Sequence, residues 1–208
     1  MSLDLGPHLD LDGCVEHLRD LIRIPSVTPP DAGPDAAAGR DPRGGETAAA
    51  RYCAEVLDGA GIETEVVEVT TPGRGSVFGR LRATGPATEP PLILLSHIDV
   101  VPVDAESWSR DPFGGELVDG MVWGRGAVDM LNLTASMAVA TKRLARAGFR
   151  PKGTLIYLGV ADEEALGTWG AEHLTDHEAD AIRADYVITE SGGIPLPGPD
   201  GLKLPVIV

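Results

Sequence analysis

The chain has 208 residues, 43% of them hydrophobic and 24% charged, enough to bury one sizeable core or one core plus a fragment. Its 32 acidic against 17 basic residues give a net charge of −15, which argues against a nucleic-acid partner, because phosphate binding needs clustered Lys and Arg. No apolar run is long enough to cross a membrane, and "MSLDLGPHLD" lacks the charged and apolar regions of a secretion signal, so neither a membrane nor secretion is expected. Cys14 and Cys53 fall in predicted helices without CxxC spacing and read as buried free thiols in a reducing cytoplasm.

Residues 10–23 place Leu11, Val15, Leu18 and Ile22 at helical spacing, and the prolines of "IPSVTPP" end that helix. Residues 30–44 are rich in Pro, Gly, Ala and Asp and read as a mobile loop. A second helix is expected over about 45–59, with Ala49, Cys53, Val56 and Leu57 on one side. "IETEVVEV" (62–69) and "SVFGRLRAT" (76–84) alternate as half-buried strands. "PLILLSH" (91–97), "GTLIYLGV" (153–160) and "ADYVITE" (184–190) have the continuous apolar character of strands covered on both faces. A helix over 132–149, striped with Leu133, Met137, Ala140 and Leu144, lies between the first two. This alternation predicts an α/β fold with parallel central strands, 91–97 and 153–160 adjacent or nearly so.

In open α/β sheets, ligands bind outside the carboxyl ends of the strands. Here the buried-type strands end in His97, in Glu163-Glu164 with Asp162 just before them as a third acid in a row, and in Glu190. Asp129, in "WGRGAVDMLN" just before the long helix, can reach the same edge through a tight Gly-rich loop, although an Asp there can also cap the helix. Three crowded carboxylates repel one another, and a cation at this edge would hold them. Imidazole with carboxylates suits zinc, with cobalt or manganese as alternatives, and the absence of thiolates argues against a structural zinc cage. Acid-rich sites with a shared carboxylate commonly hold two metals about 3.5–4 Å apart. Asp99, in "HID", can accept the other ring N–H of His97. Only one of the adjacent glutamates need bind metal, which leaves the other free as a general base.

"SHIDVVP", "WSRDPFGGELVDGMVWGRGAVDM" and "ADEEALGTWGAEHL", in that order, resemble the dinuclear metallopeptidase family of acetylornithine deacetylase, succinyl-diaminopimelate desuccinylase, aminoacylase and carboxypeptidase S. The resemblance spans about residues 16–194, and "TESGG" is closest to the carboxypeptidase S and aminoacylase side. It implies a phosphorylase/hydrolase-like catalytic domain with a mixed, mainly parallel central sheet flanked by helices. It also implies two zinc ions per complete site: His97, Asp129 and Glu190 for one, and a bridging Asp129 with Glu164 for the other. Asp99 would be the His-orienting acid and Glu163 the catalytic base. The implied activity is cleavage of an amide bond in a small peptide or an N-acyl amino acid, through a metal-bridging water. The family pattern departs at Leu131-Asn132, where a Lys-Gly-type pair is usual. The family also uses a distal histidine and a lid or dimerisation domain that would make a homodimer. The chain ends at "GLKLPVIV", about where that domain would begin, so residues 1–208 read as the N-terminal part of a catalytic domain, inactive alone and holding at most one metal tightly.

Three competing readings accompany these. A metal-binding scaffold that kept the ligands without turnover is the alternative function. Glu190 in "ESGG" can be a turn residue only. His173 and His177 have a helical metal-pair spacing but lack the HExxH glutamate, so a solvated helix face is expected there.

Overall fold

The computed structural model describes residues 10–28, 45–69 and 73–190, with the backbone of 194–197 and 203–206. The loop expected at 30–44 lies outside the described residues. Helix α1 (Leu11–Ile22) starts where the Asp10 side chain accepts from the Gly13 N–H, a cap for an otherwise unpaired donor. Helix α2 (Glu46–Asp58) follows, then strands β1 (Glu63–Glu68), β2 (Gly75–Leu81) and β3 (Leu92–His97). A short hairpin, β4 (Glu116–Val118) and β5 (Met121–Trp123), precedes helix α3 (Leu131–Arg146) and strand β6 (Leu155–Val160). After β6 come tight turns, helices α4 (His173–His177) and α5 (Ala179–Ile182), strand β7 (Tyr186–Ile188) and the antiparallel pair β8 (Ile194–Pro197) and β9 (Lys203–Val206).

Five strands form one mixed sheet in the order β1-β2-β6-β3-β7. β2 runs antiparallel to both its neighbours, whereas β6, β3 and β7 are parallel. β3 and β6 are adjacent, as expected, with His97 opposite Val160. Alternate side chains of the sheet enter two cores. Tyr157 and Val77 face one that includes Leu21 and Ile22 of α1, Ala49, Cys53 and Leu57 of α2, and Leu131 and Ala135 of α3. Phe78, Ile156, Leu158 and Val160 face the other, closed by Leu174 of α4 with Ala181 and Ile182 of α5. Cover on both faces explains why β6 is continuously apolar.

The structure corrects three expectations. β2 is buried over most of its length rather than half-buried, because it lies inside the sheet between β1 and β6 with a core on each side. β7 is not covered: it is an edge strand paired only with β3, and Tyr186, Val187 and Ile188 are 61%, 53% and 51% exposed. Cys53 is buried but Cys14 only partly, since Cys14 lies near the exposed start of α1. The β4–β5 hairpin adds an element to the expected order; its signal is Asp119-Gly120, both at positive φ, the backbone a two-residue hairpin turn requires. No helix among the described residues is long and apolar enough to cross a membrane.

Candidate metal centre

The carboxyl ends of β6, β3 and β7 lie on one edge of the sheet because the three strands are parallel. His97 closes β3 there and is buried. Its backbone is tied to the start of α3: the His97 N–H donates to Met130 Sδ at 3.1 Å, and its carbonyl accepts from Thr134 Oγ1 at 2.7 Å. That tie carries Asp129 to the imidazole, where Oδ1 stands 3.0 Å from Nε2. The Asp129–Met130 peptide is cis. Asp129 does not cap α3; the cap residue is Met130, without a side-chain hydrogen bond. Leu131, at the departure from the family pattern, is buried, and a Cβ at Gly126 would press on its side chain.

Glu163 and Glu164 occupy a tight turn after β6, Glu163 Oε2 lying 3.7 Å from His97 Nε2. Glu190, two residues past β7, brings Oε2 to 3.8 Å from the same nitrogen. Two sets of donor atoms converge closely enough for a cation, His97 with Asp129 and Glu164, and His97 with Glu163 and Glu190. This grouping differs from the expected one, in which Glu190 shares a metal with Asp129 and Glu163 binds none. The carboxylates of Asp129, Glu163 and Glu190 all turn toward Nε2.

Asp99 orients His97 differently from expectation. The ring Nδ1 donates to the Asp99 backbone carbonyl at 3.0 Å, while the carboxylate Oδ1 is 3.6 Å away, beyond hydrogen-bond range. The buried carboxylate instead accepts from Thr28 Oγ1 (2.6 Å) and from the N–H groups of Glu163 (3.2 Å) and Glu164 (3.0 Å). Asp99 thus fixes both the imidazole and the backbone of the two glutamates. With Nδ1 committed as a donor, Nε2 is the nitrogen left to face a cation. Thr28, Met130 and Thr134 carry no motif that would have marked them in the sequence.

The electrostatics follow the geometry. Burial alone pushes His97 down, but the Asp99 carboxylate first, then the Glu163 charge and the Asp99 carbonyl, raise it to about 9. Burial would lift Asp99, yet His97, Thr28 and the Glu164 N–H hold it below the usual carboxylate range. Glu163 and Glu164 are raised, first by burial and then by neighbouring acids, against the pull of His97. One imidazole nitrogen with carboxylate oxygens and no sulfur is a donor set that fits a divalent cation such as zinc, cobalt or manganese. His173 and His177, on α4, belong to neither donor set among the described residues, although their rings lie 4.5 Å apart.

Residues 93–203 match the sequence profile of Peptidase family M20/M25/M40. The chain belongs to this family. It is 36% identical over 158 residues to a succinyl-diaminopimelate desuccinylase of Rhodopseudomonas palustris, covering 75% of this chain and 37% of that protein. A second such desuccinylase, from Methylocella silvestris, is 37% identical over 164 residues, covering 77% and 37%. The chain therefore spans little more than a third of the length of these relatives. Among solved structures, an M20 family metallo-carboxypeptidase of Sulfolobus solfataricus superposes with a TM-score of 0.67 at 24% identity, over 90% of this chain and 38% of that one. A dipeptidase of Saccharomyces cerevisiae gives 0.69 at 18% identity, over 88% and 39%. At these identities the likeness establishes the shared M20 catalytic-domain fold.

Proposed function

We propose that the protein is a metal-dependent hydrolase of an amide bond, in an N-acyl amino acid or a small peptide. The observation that carries this reading is the convergence of His97, Asp129, Glu163, Glu164 and Glu190 at one sheet edge. His97, Asp129, Glu164 and Glu190 would hold the metal, zinc first and cobalt or manganese as alternatives, with two ions in a complete site. When bound, the cation supplies Lewis acidity toward a carbonyl and a lowered pKa for water. Glu163 accepts the water's proton on its carboxylate and returns it to the departing amine; its raised pKa brings it closer to that task. Asp99 holds the His97 ring and both glutamate N–H groups, so these side chains start from fixed geometry.

The desuccinylase relatives favour an N-acyl amino acid, and the structural neighbours with peptidase names keep small peptides in view. The same proposal includes pairing into a homodimer through a lid domain and work in the cytoplasm. A metal-binding scaffold without turnover is not favoured, because the relatives this chain matches carry the names of hydrolases. The test is hydrolysis by the full-length protein of a panel of N-acyl amino acids and dipeptides, before and after chelation and on return of zinc, cobalt or manganese. Hydrolysis that vanishes on chelation and returns with metal supports the reading. Turnover indifferent to chelation contradicts it.

A further inference from the structure

Behind the glutamates lies a buried ion cluster that metal binding itself does not use. Arg74, just before β2, places Nη1 2.7 Å from Glu46 Oε1 at the start of α2 and 2.9 Å from Asp162 Oδ1, the latter an ion pair outside hydrogen-bond geometry. All three side chains are buried. Glu46 Oε1 also accepts the backbone N–H of Asp162 at 3.0 Å. Asp162 Oδ2 accepts the Trp169 N–H at 2.9 Å, and its carbonyl accepts from Gly167 at 2.7 Å. Asp162 is therefore held at its N–H, its carbonyl and both carboxylate oxygens. It has φ +65°, a left-handed conformation that Asp tolerates better than most residues. Glu163 follows directly.

Buried ion clusters of this kind seldom add stability over well-packed apolar side chains. Among the described residues, Nε and Nη2 of Arg74 and Oε2 of Glu46 make no hydrogen bond, which deepens that cost. Burial and the Asp99 charge lift Glu46 to about 8, with Arg74 opposing. A cluster that is a poor stabiliser yet grips the residue next to the glutamates needs another role.

We propose that Arg74 and Glu46 are positioning residues that act through Asp162 to aim Glu163 and Glu164 into the metal centre. The proposal rests on the site reading above. The turn is gripped from two sides, by Asp99 and Thr28 at the N–H groups of 163 and 164 and by Arg74 and Glu46 at residue 162. Releasing the second grip leaves the ligands present but their carboxylates free to wander, which weakens cation binding and misplaces the base.

The experiment uses cobalt(II) with the full-length protein, reading affinity and visible spectrum beside kcat, KM and Tm. The variant Arg74→Met/Glu46→Leu removes the grip on residue 162 but leaves the Asp162 carboxylate buried without its cation, so its Tm should fall, and cobalt affinity is read well below that Tm. Its cobalt affinity should fall by about 10–100-fold, the range for groups that orient metal ligands, with an altered spectrum and reduced kcat. Arg74→Lys, which keeps the cation, should recover most of that affinity. Should the double variant fail to fold, Asp162→Asn, nearly isosteric and equally tolerant of positive φ, decides, with a smaller loss of the same sign. A variant with lowered Tm but wild-type cobalt affinity and spectrum would overturn the proposal, since a merely structural cluster behaves that way. Wild type that binds cobalt yet hydrolyses nothing would contradict the hydrolase reading alone, and the cobalt measurements would still judge the positioning role.

Discussion

His97 and Asp129, 32 residues apart, meet with Nε2 and Oδ1 3.0 Å from one another. The contact exists because Met130 and Thr134 bind the His97 backbone, so the start of α3 is fastened to the end of β3. Asp129 is exposed and caps nothing, so its replacement should spare the fold. We expect Asp129→Ala to keep its Tm within a few degrees and to lose at least about 10–100-fold in zinc affinity. Calorimetric titration beside thermal melting checks both parts.

Glu163→Gln separates base from ligand. If Glu163 moves the proton, kcat should fall by about 10²–10⁴-fold, the usual contribution of a general base, with zinc still bound. Steady-state kinetics with metal analysis of the same sample reads this. Loss of zinc in step with activity would place Glu163 among the ligands, as its proximity to His97 and Glu190 permits.

The metal-free protein should lose stability as pH rises. His97, raised to about 9 from an ordinary 6.5, and Glu46, raised to about 8 from 4.5, keep protons in the folded state that the unfolded chain has already released. The folded state therefore binds more protons across this window, and stability falls with pH. In the presence of a chelator, Tm should decline from about pH 4.5, where Glu46 begins to contribute, to about pH 9, where the His97 contribution is spent. Zinc replaces the proton on Nε2, so added zinc should reduce the decline.

Gly170 lies in the turn Thr168–Glu172, packed so closely that a Cβ would overlap the carbonyl oxygen of Ala161. Ala161 immediately precedes the acid triplet, and neither backbone can yield cheaply. Gly170→Ala should destabilise the protein by about 1–3 kcal/mol or more and weaken zinc binding with it. Chemical denaturation and zinc titration measure the two effects.

The parallel core and its edge were legible because the apolar runs of β3 and β6 announce strands covered on both faces, and their last residues announce the site. β7 misled, since "DYVIT" has the composition of a central strand while its place at the edge depends on which segments lie beside it. The candidate ligands could be named one by one, but their grouping around His97 Nε2 could not. Asp99 shows the limit most sharply. Its proximity to His97 follows from the sequence, yet the use of its carbonyl for the ring and its carboxylate for Glu163 and Glu164 depends on side-chain and backbone geometry. Arg74 and Glu46 left no trace, because a buried ion cluster assembled from α2, the start of β2 and the turn after β6 has no local pattern.

The central claim is a divalent metal centre at the end of β3 and β6. A crystal structure of the full-length protein grown with zinc, with anomalous data on either side of the zinc absorption edge, tests it most directly. The account predicts a peak about 2.0–2.2 Å from His97 Nε2, with carboxylate oxygens of Asp129 and of Glu164 or Glu190 completing its coordination. A zinc peak elsewhere in the fold, or none near His97 at saturating zinc, would contradict it.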